Sequence, residues 1–308
     1  MKLRSPALLV VLFALVAGAQ TTERVTPPAT EFKESIDVRL VELYVAVTNR
    51  DGAAITGLSR ADFTLEENGA VQELESATDS QDLPITLGLA VDTSASMFMK
   101  LPAAVKAAGS LIAALRPGRD RAFLVGFGSE PELAQATTGD LARVSAALSN
   151  LEANGMTPLW GSVALSLGEL KAARGKRAVV VFLDGADDDG SDAFRTAYAE
   201  ARRARVPVYL IVMNNEAARR GGKDFQTRAF MSRLERMARA GGGRVFFVPT
   251  RADLAPIYRE IETELRSAYL LTYYPSVPLA QGGRREVKVK VGRKGATVRT
   301  VAGYEPSS

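Results

Sequence analysis

The chain has 308 residues, 46% of them hydrophobic, with 39 Lys+Arg against 35 Asp+Glu. That is enough to bury a full core and to divide into two structural units, and a surplus of four cations, two of which are Lys2 and Arg4, does not describe a nucleic-acid binder. Cysteine and histidine are both absent, which excludes disulfides, the usual zinc sites, thiol nucleophiles and every Ser-His-Asp or Cys-His mechanism; any catalysis would rest on carboxylates, lysine, tyrosine or a hard cation.

Lys2 and Arg4 precede an apolar run at 7–16 and then Ala17-Gly18-Ala19, the pattern of a secretory signal peptide over residues 1–19. The run is well short of the roughly 20 residues needed to cross a bilayer. The mature chain is therefore expected to be exported, to the periplasm or to the extracellular side or cell surface, with no stable membrane insertion once the signal is removed. A flexible leader is expected over 20–34.

Residues 35–83 read as half-buried strands, because apolar side chains alternate at Ile36, Val38 and Leu40, at Val45 and Val47, and at Phe63, Leu65 and Val71. Asp51-Gly52 marks one hairpin turn, and Asn68-Gly69 marks a second with a type I′ signal. Between 84 and 265 the pattern changes. Short apolar runs at 85–91, 122–127, 178–183, 206–212 and 244–248 are those of central parallel strands, with a weaker edge strand at 132–137. Helical stretches lie between and after them at 102–115, 141–151, 159–173, 191–204, 225–240 and 252–266. This alternation predicts an α/β domain with a doubly wound, mostly parallel six-stranded sheet. Residues 266–304 return to strands, at 269–274, at Val287, Val289 and Val291, and at 298–301 after a Lys294-Gly295 turn. Neither flank has enough strands for a core of its own, so 35–83 and 266–304 are expected to be the two halves of one β-sandwich carrying the α/β domain as an insertion.

One crevice collects the chemistry. Asp92 falls just past the first strand of the parallel sheet and Asp184 just past the strand at 178–183; in the order 3-2-1-4-5-6 these strands are neighbours where the winding reverses. Ser94 and Ser96 follow Asp92 at alternate positions, so in an extended loop all three side chains point the same way. Thr157, in Gly155-Met156-Thr157-Pro158, precedes a helix whose start brings its hydroxyl to the same end of the sheet. Two carboxylates and three hydroxyls form an oxygen-only set suited to Mg²⁺ (or Mn²⁺), with an open position that an Asp or Glu carboxylate of a protein partner would fill. The competing structural role for Ser94 and Ser96 is to cap the helix near Pro102. Asp187, Asp188, Asp189 and Asp192 lack EF-hand spacing and read as a solvated acidic loop, and Gly126-Phe127-Gly128-Ser129 and Gly221-Gly222 lack the Lys-Ser/Thr ending of a P-loop. The arginines at 202, 203, 205, 219 and 220 read as solvated, and Trp160 is expected to bury against the sheet.

The set Asp92, Ser94, Ser96, Thr157 and Asp184 resembles the DxSxS, threonine and aspartate pattern of von Willebrand factor type A domains with a metal-ion-dependent adhesion site. The resemblance implies that the two serines and the threonine bind the ion directly, that the aspartates often act through water, and that the protein is a non-enzymatic binding or adhesion protein. Ala95 stands where the family commonly has glycine. The flanks, with Val47-Thr48-Asn49-Arg50-Asp51-Gly52, Asp62-Phe63, the run Tyr269-Leu270-Leu271-Thr272-Tyr273-Tyr274-Pro275 and Gly303-Tyr304, resemble an exported bacterial subgroup abundant in acidobacteria. Two alternatives stand beside this reading. One is a haloacid-dehalogenase-like, Mg²⁺-dependent phosphohydrolase with Asp92 as nucleophile and Asp187 and Asp188 as metal ligands, although Ser94 occupies the position where that chemistry needs an acid. The other is a structural envelope protein without bound metal.

Overall fold

The computed structural model describes residues 40–185, 190–213, 225–248 and 254–306, all within a unit running from Asp37 to Ser308. The expected signal peptide and leader, Ile36 and Val38, the acidic run Asp187-Asp188-Asp189, Arg219, Arg220, Gly221-Gly222 and the first residues of the helix expected from 252 lie outside the described residues.

Strands β1 (Val41–Thr48), β2 (Phe63–Glu67), β3 (Ala70–Gln72) and β4 (Leu74–Asp79) precede the central sheet. Asn68 and Gly69 both have positive φ, 49° and 82°, as a type I′ turn requires, and join β2 to β3. The Asp51-Gly52 turn also forms, but it closes on a single bridge between Thr48 and Ala54 rather than a hairpin ladder. The partners of β1 come instead from the far end of the chain: β11 (Tyr269–Tyr273) and β13 (Thr297–Arg299), both antiparallel. With β4 on the other side of β11, these make one four-stranded sheet; β14 (Gly303–Tyr304), β12 (Arg285–Val291), β2 and β3 make a second. Alternate residues of both sheets, among them Val45, Val47, Leu65, Leu271, Tyr273 and Tyr304, share one core, so the two ends of the chain complete a β-sandwich. The Lys294-Gly295 turn lies between β12 and β13, which pair in different sheets.

The third sheet has the order β10-β9-β8-β5-β6-β7. It comprises β5 (Ile85–Asp92), β6 (Arg121–Phe127), β7 (Pro131–Thr138), β8 (Lys176–Leu183), β9 (Val208–Val212) and β10 (Val245–Phe247). All pairs are parallel except the β6–β7 edge. The order is that of the doubly wound fold, with β5 and β8 adjacent where the winding reverses. Every residue of β5 is buried, as expected of a strand covered on both faces. One cover is α1 (Leu101–Ala113), which turns Leu101, Ala104, Ala108, Leu111 and Ile112 onto the sheet at helical spacing, with α6 (Ala255–Arg266) in the same core. On the other face lie α3 (Leu159–Glu169), α4 (Gly190–Ala204) and α5 (Phe225–Gly241), while α2 (Leu141–Ser149) packs beside α1. Trp160 is fully buried there and meets the ring of Phe194 edge-on with centroids 4.8 Å apart. No helix among the described residues is long and apolar enough to cross a membrane.

Candidate metal-binding crevice

The strands β5 and β8 run side by side with Val91 facing Phe182, so Asp92 and Asp184 leave the sheet from neighbouring strands at the same, C-terminal end. Three backbone hydrogen bonds then stitch the adjoining loops together. The Thr93 N–H donates to the carbonyl of Phe127 at 3.0 Å, the Asn154 N–H to that of Thr93, and the Ala95 N–H to that of Gly155 at 3.1 Å. The loop carrying Thr157 is therefore fixed against the loop carrying Ser94 and Ser96. Glycine is required at the closest approaches. A Cβ on Gly128 would stand 2.3 Å from the Asn154 carbonyl oxygen, and Gly155 has φ +86° with Ser129 packed against it.

The geometry of the Asp92 loop differs from the extended loop expected of it. Residues Ala95–Met97 form a 3₁₀ turn, because the Met97 side chain is drawn fully into the core. The two hydroxyls nonetheless converge, Ser94 Oγ lying 3.0 Å from Ser96 Oγ. Neither serine caps α1, whose N-cap residue is Lys100. Asp92, Ser94, Thr157 and Asp184 are buried, at 0%, 2%, 2% and 6% exposure, while Ser96 is exposed and marks where the crevice opens.

Burial raises two carboxyls that each keep one oxygen without a hydrogen-bond partner, Asp92 and Glu264, but Glu264 has Arg244 and Arg299 against it, whereas no cation among the described residues pairs with Asp92. Asp92 Oδ1 accepts the Ser94 N–H at 2.8 Å, but its Oδ2 is buried with no hydrogen-bond partner. Burial pushes its carboxyl up to about 6, against the pull of the Ser94 donors and helped by repulsion from Asp184. A sealed carboxylate oxygen without a donor costs folding free energy unless a cation reaches it. Asp184 is compensated differently: Lys100 Nζ donates to its Oδ2 at 2.9 Å, with the lysine 16% exposed. The sequence reading did not include Lys100. Its signal was available in principle, since a cation at the start of a helix opposes the helix dipole and implies an anion nearby. Among the described residues, Asp92, Asp184 and Lys100 together carry one net negative charge instead of the two of the aspartates alone.

Among the described residues no group of three or more His, Cys, Asp or Glu side chains could hold a metal ion. The donor set here is of another kind, two carboxylates and three hydroxyls. These hard oxygen donors and the orphaned Asp92 Oδ2 fit a Mg²⁺- or Mn²⁺-sized ion retaining some of its water. A cavity of 840 Å³ lies at the opposite end of the sheet, near Tyr44, Arg177 and Glu264, but its inner cations are engaged: Arg177 donates to the carbonyls of Leu170 and Ala204, and Arg299 pairs with Glu264.

A doubly wound α/β domain whose switch point holds a hydroxyl-rich, cation-compatible crevice defines the class. The family model described as von Willebrand factor type A domain matches residues 87–186, the stretch that contains all five site residues. Over that segment the chain carries a von Willebrand factor type A domain. Comparison with curated proteins gives no match. Among solved structures, the chain is similar to a von Willebrand factor type A protein from Catenulispora acidiphila at 13% identity and TM-score 0.50, covering 88% of this chain and 74% of that one. It is also similar to the conserved hypothetical protein BatB from Bacteroides thetaiotaomicron, at 19% identity and TM-score 0.47 over 59% of this chain and 100% of that one. A third is the von Willebrand domain of the type V pili tip protein Mfa5 from Porphyromonas gingivalis, at 13% identity and TM-score 0.48 over 58% and 94%.

Proposed function

We propose that this is an exported, non-enzymatic binding protein that holds Mg²⁺ (or Mn²⁺) at Asp92, Ser94, Ser96, Thr157 and Asp184 and uses it to engage an Asp or Glu carboxylate of a protein partner. The observation that carries the reading is the buried, unpartnered Oδ2 of Asp92 beside the paired hydroxyls of Ser94 and Ser96. Asp92 and the hydroxyls supply oxygen ligands, Ser96 stands at the opening, and Lys100 neutralises Asp184. When bound, a dication supplies a Lewis-acidic open position for the incoming carboxylate. It would turn the net charge of Asp92, Asp184 and Lys100 from −1 to +1, matched to a single carboxylate. Ser94, whose hydroxyl is turned to Ser96, offers no proton of carboxylic-acid strength next to Asp92, which favours binding over bond cleavage.

Isothermal calorimetry with MgCl₂ on the wild type and on Asp92→Ala tests this directly. Saturable binding by the wild type and none by the variant is the expected result; equal binding, or none by either, removes the site. Turnover of a generic aryl phosphate that Asp92→Asn abolishes would instead favour the phosphohydrolase alternative.

A further inference from the structure

Three large apolar side chains stay exposed in the two loops that carry the site hydroxyls. Phe98 is 71% exposed, Met99 83% and Met156 62%, although each lies within three residues of a site hydroxyl. Phe98 and Met99 follow Ser96 directly after buried Met97, and the Phe98 N–H donates back to the Ala95 carbonyl. Met156 lies between Gly155, whose carbonyl receives the Ala95 N–H, and buried Thr157. The two loops are hydrogen-bonded to each other, so the backbone that bears these three side chains is held by the same contacts that position the hydroxyls. Among the described residues only Val71 is a comparably exposed large hydrophobe, and it lies on β3 of the sandwich.

Exposed apolar groups that serve no core usually mark a contact surface, and methionine is suited to one that adapts to its partner. The charge of the crevice says what lies at its centre. With Lys100 paired to Asp184, a bound dication leaves one positive charge to be matched, and the exposed residues next to the site hydroxyls, Phe98, Met99 and Met156, offer no cation for a second acid. We infer that Phe98, Met99 and Met156 are the apolar half of the docking surface, and that the partner presents a single Asp or Glu flanked on both sides by apolar side chains. This rests on the metal-dependent reading above and specifies what kind of segment that site accepts.

The test uses the mature protein and two sets of labelled nine-residue peptides. Each has a central Glu or Asp; one set is flanked by Leu and Phe, the other by Ser and Thr. With MgCl₂ present, the apolar-flanked set should bind at least tenfold more tightly than the polar-flanked set, and EDTA should abolish binding. The triple variant Phe98→Ser, Met99→Ser, Met156→Ser, exposed positions all, should lose that preference while its calorimetric Mg²⁺ affinity and melting temperature stay at wild-type values. Equal binding of the two sets by a protein that binds Mg²⁺ overturns the inference and leaves the metal site standing; absence of Mg²⁺ binding overturns both. A further arm adds phosphatidylcholine vesicles. Vesicle binding that the triple variant loses, with no peptide preference, would assign the three side chains to a lipid surface and overturn the inference as well.

Discussion

Asp92 and Asp120 are both sealed from solvent, at 0% and 1% exposure, and stand at opposite ends of the central strand pair β5–β6. Asp120, just before β6, accepts the N–H of Ile85 at 2.9 Å and that of Arg116 at 2.7 Å, together with the guanidinium of Arg266. Burial raises its carboxyl, but these donors, Arg266 foremost, outweigh that and hold it down at about 2. Asp92 accepts the Ser94 N–H on one oxygen and leaves the other without a partner or a cation, and burial lifts it to about 6. The same residue type at the same depth is a finished structural joint at one end and an unfinished charge at the other. That contrast, more than acidity alone, marks the C-terminal end of the sheet as the working end.

The largest loss of stability is expected at the finished joint. Replacing Asp120 with Ala strands the largely buried Arg266 and leaves the N–H groups of Ile85 and Arg116 without an acceptor, so urea unfolding at neutral pH should show a loss of about 3–5 kcal/mol. Next in size is the pH dependence, in which the two aspartates act with opposite signs. The Asp120 carboxyl is lower folded than unfolded, so its contribution, about 2 kcal/mol, is present above about pH 4 and lost as pH falls toward about 2. Asp92 is higher folded than unfolded, so the folded state binds the extra proton between about pH 4 and about pH 6. Stability in EDTA should therefore decline as pH rises through that window, by up to about 3 kcal/mol. Urea titrations across pH on wild type and Asp92→Asn should show the decline only in the wild type, with the acid limb common to both.

Smaller perturbations sharpen the working end itself. Gly128→Ala pushes a methyl group into the Asn154 carbonyl and should cost about 1–3 kcal/mol; by displacing the Thr157 loop it should also weaken Mg²⁺ binding in calorimetry. Lys100→Met leaves Asp184 without its cation. Metal-free stability should fall by about 1 kcal/mol, and MgCl₂ should restore it, so the Mg²⁺-induced gain in a thermal melt should be larger for the variant than for the wild type.

What the sequence made legible is what is written locally. Strand–helix alternation sets the order of the parallel sheet, and the positions of Asp92 and Asp184 follow because each ends its own strand. What it hid are partners brought in by the fold. Lys100 reaches Asp184 across 84 residues and Asp120 meets Arg266 across 146; a cation at a helix start signals that some anion is near, but nothing local says which one either partner meets. The Asp51-Gly52 turn is a similar case. Turn residues specify a reversal but not the strand that pairs afterwards, and β1 forms its ladders with the strands of Tyr269 and Val298, meeting the segment after its own turn only at the Thr48–Ala54 bridge. The 3₁₀ turn at Ala95–Met97 escaped the alternation argument because it is set by burial of Met97, a tertiary demand.

We propose that a divalent cation completes the unfinished charge at Asp92. Thermal unfolding of wild type and Asp92→Asn, each in EDTA and in MgCl₂ well above its dissociation constant, tests it most directly. A ligand that binds only the folded state at about 100 times its dissociation constant stabilises by about 2.7 kcal/mol. The wild type should therefore melt several degrees higher in MgCl₂ than in EDTA, and Asp92→Asn should melt above the wild type in EDTA and gain nothing from MgCl₂. A wild type whose melting temperature is the same in both, or a variant that gains as much as the wild type, would contradict the account.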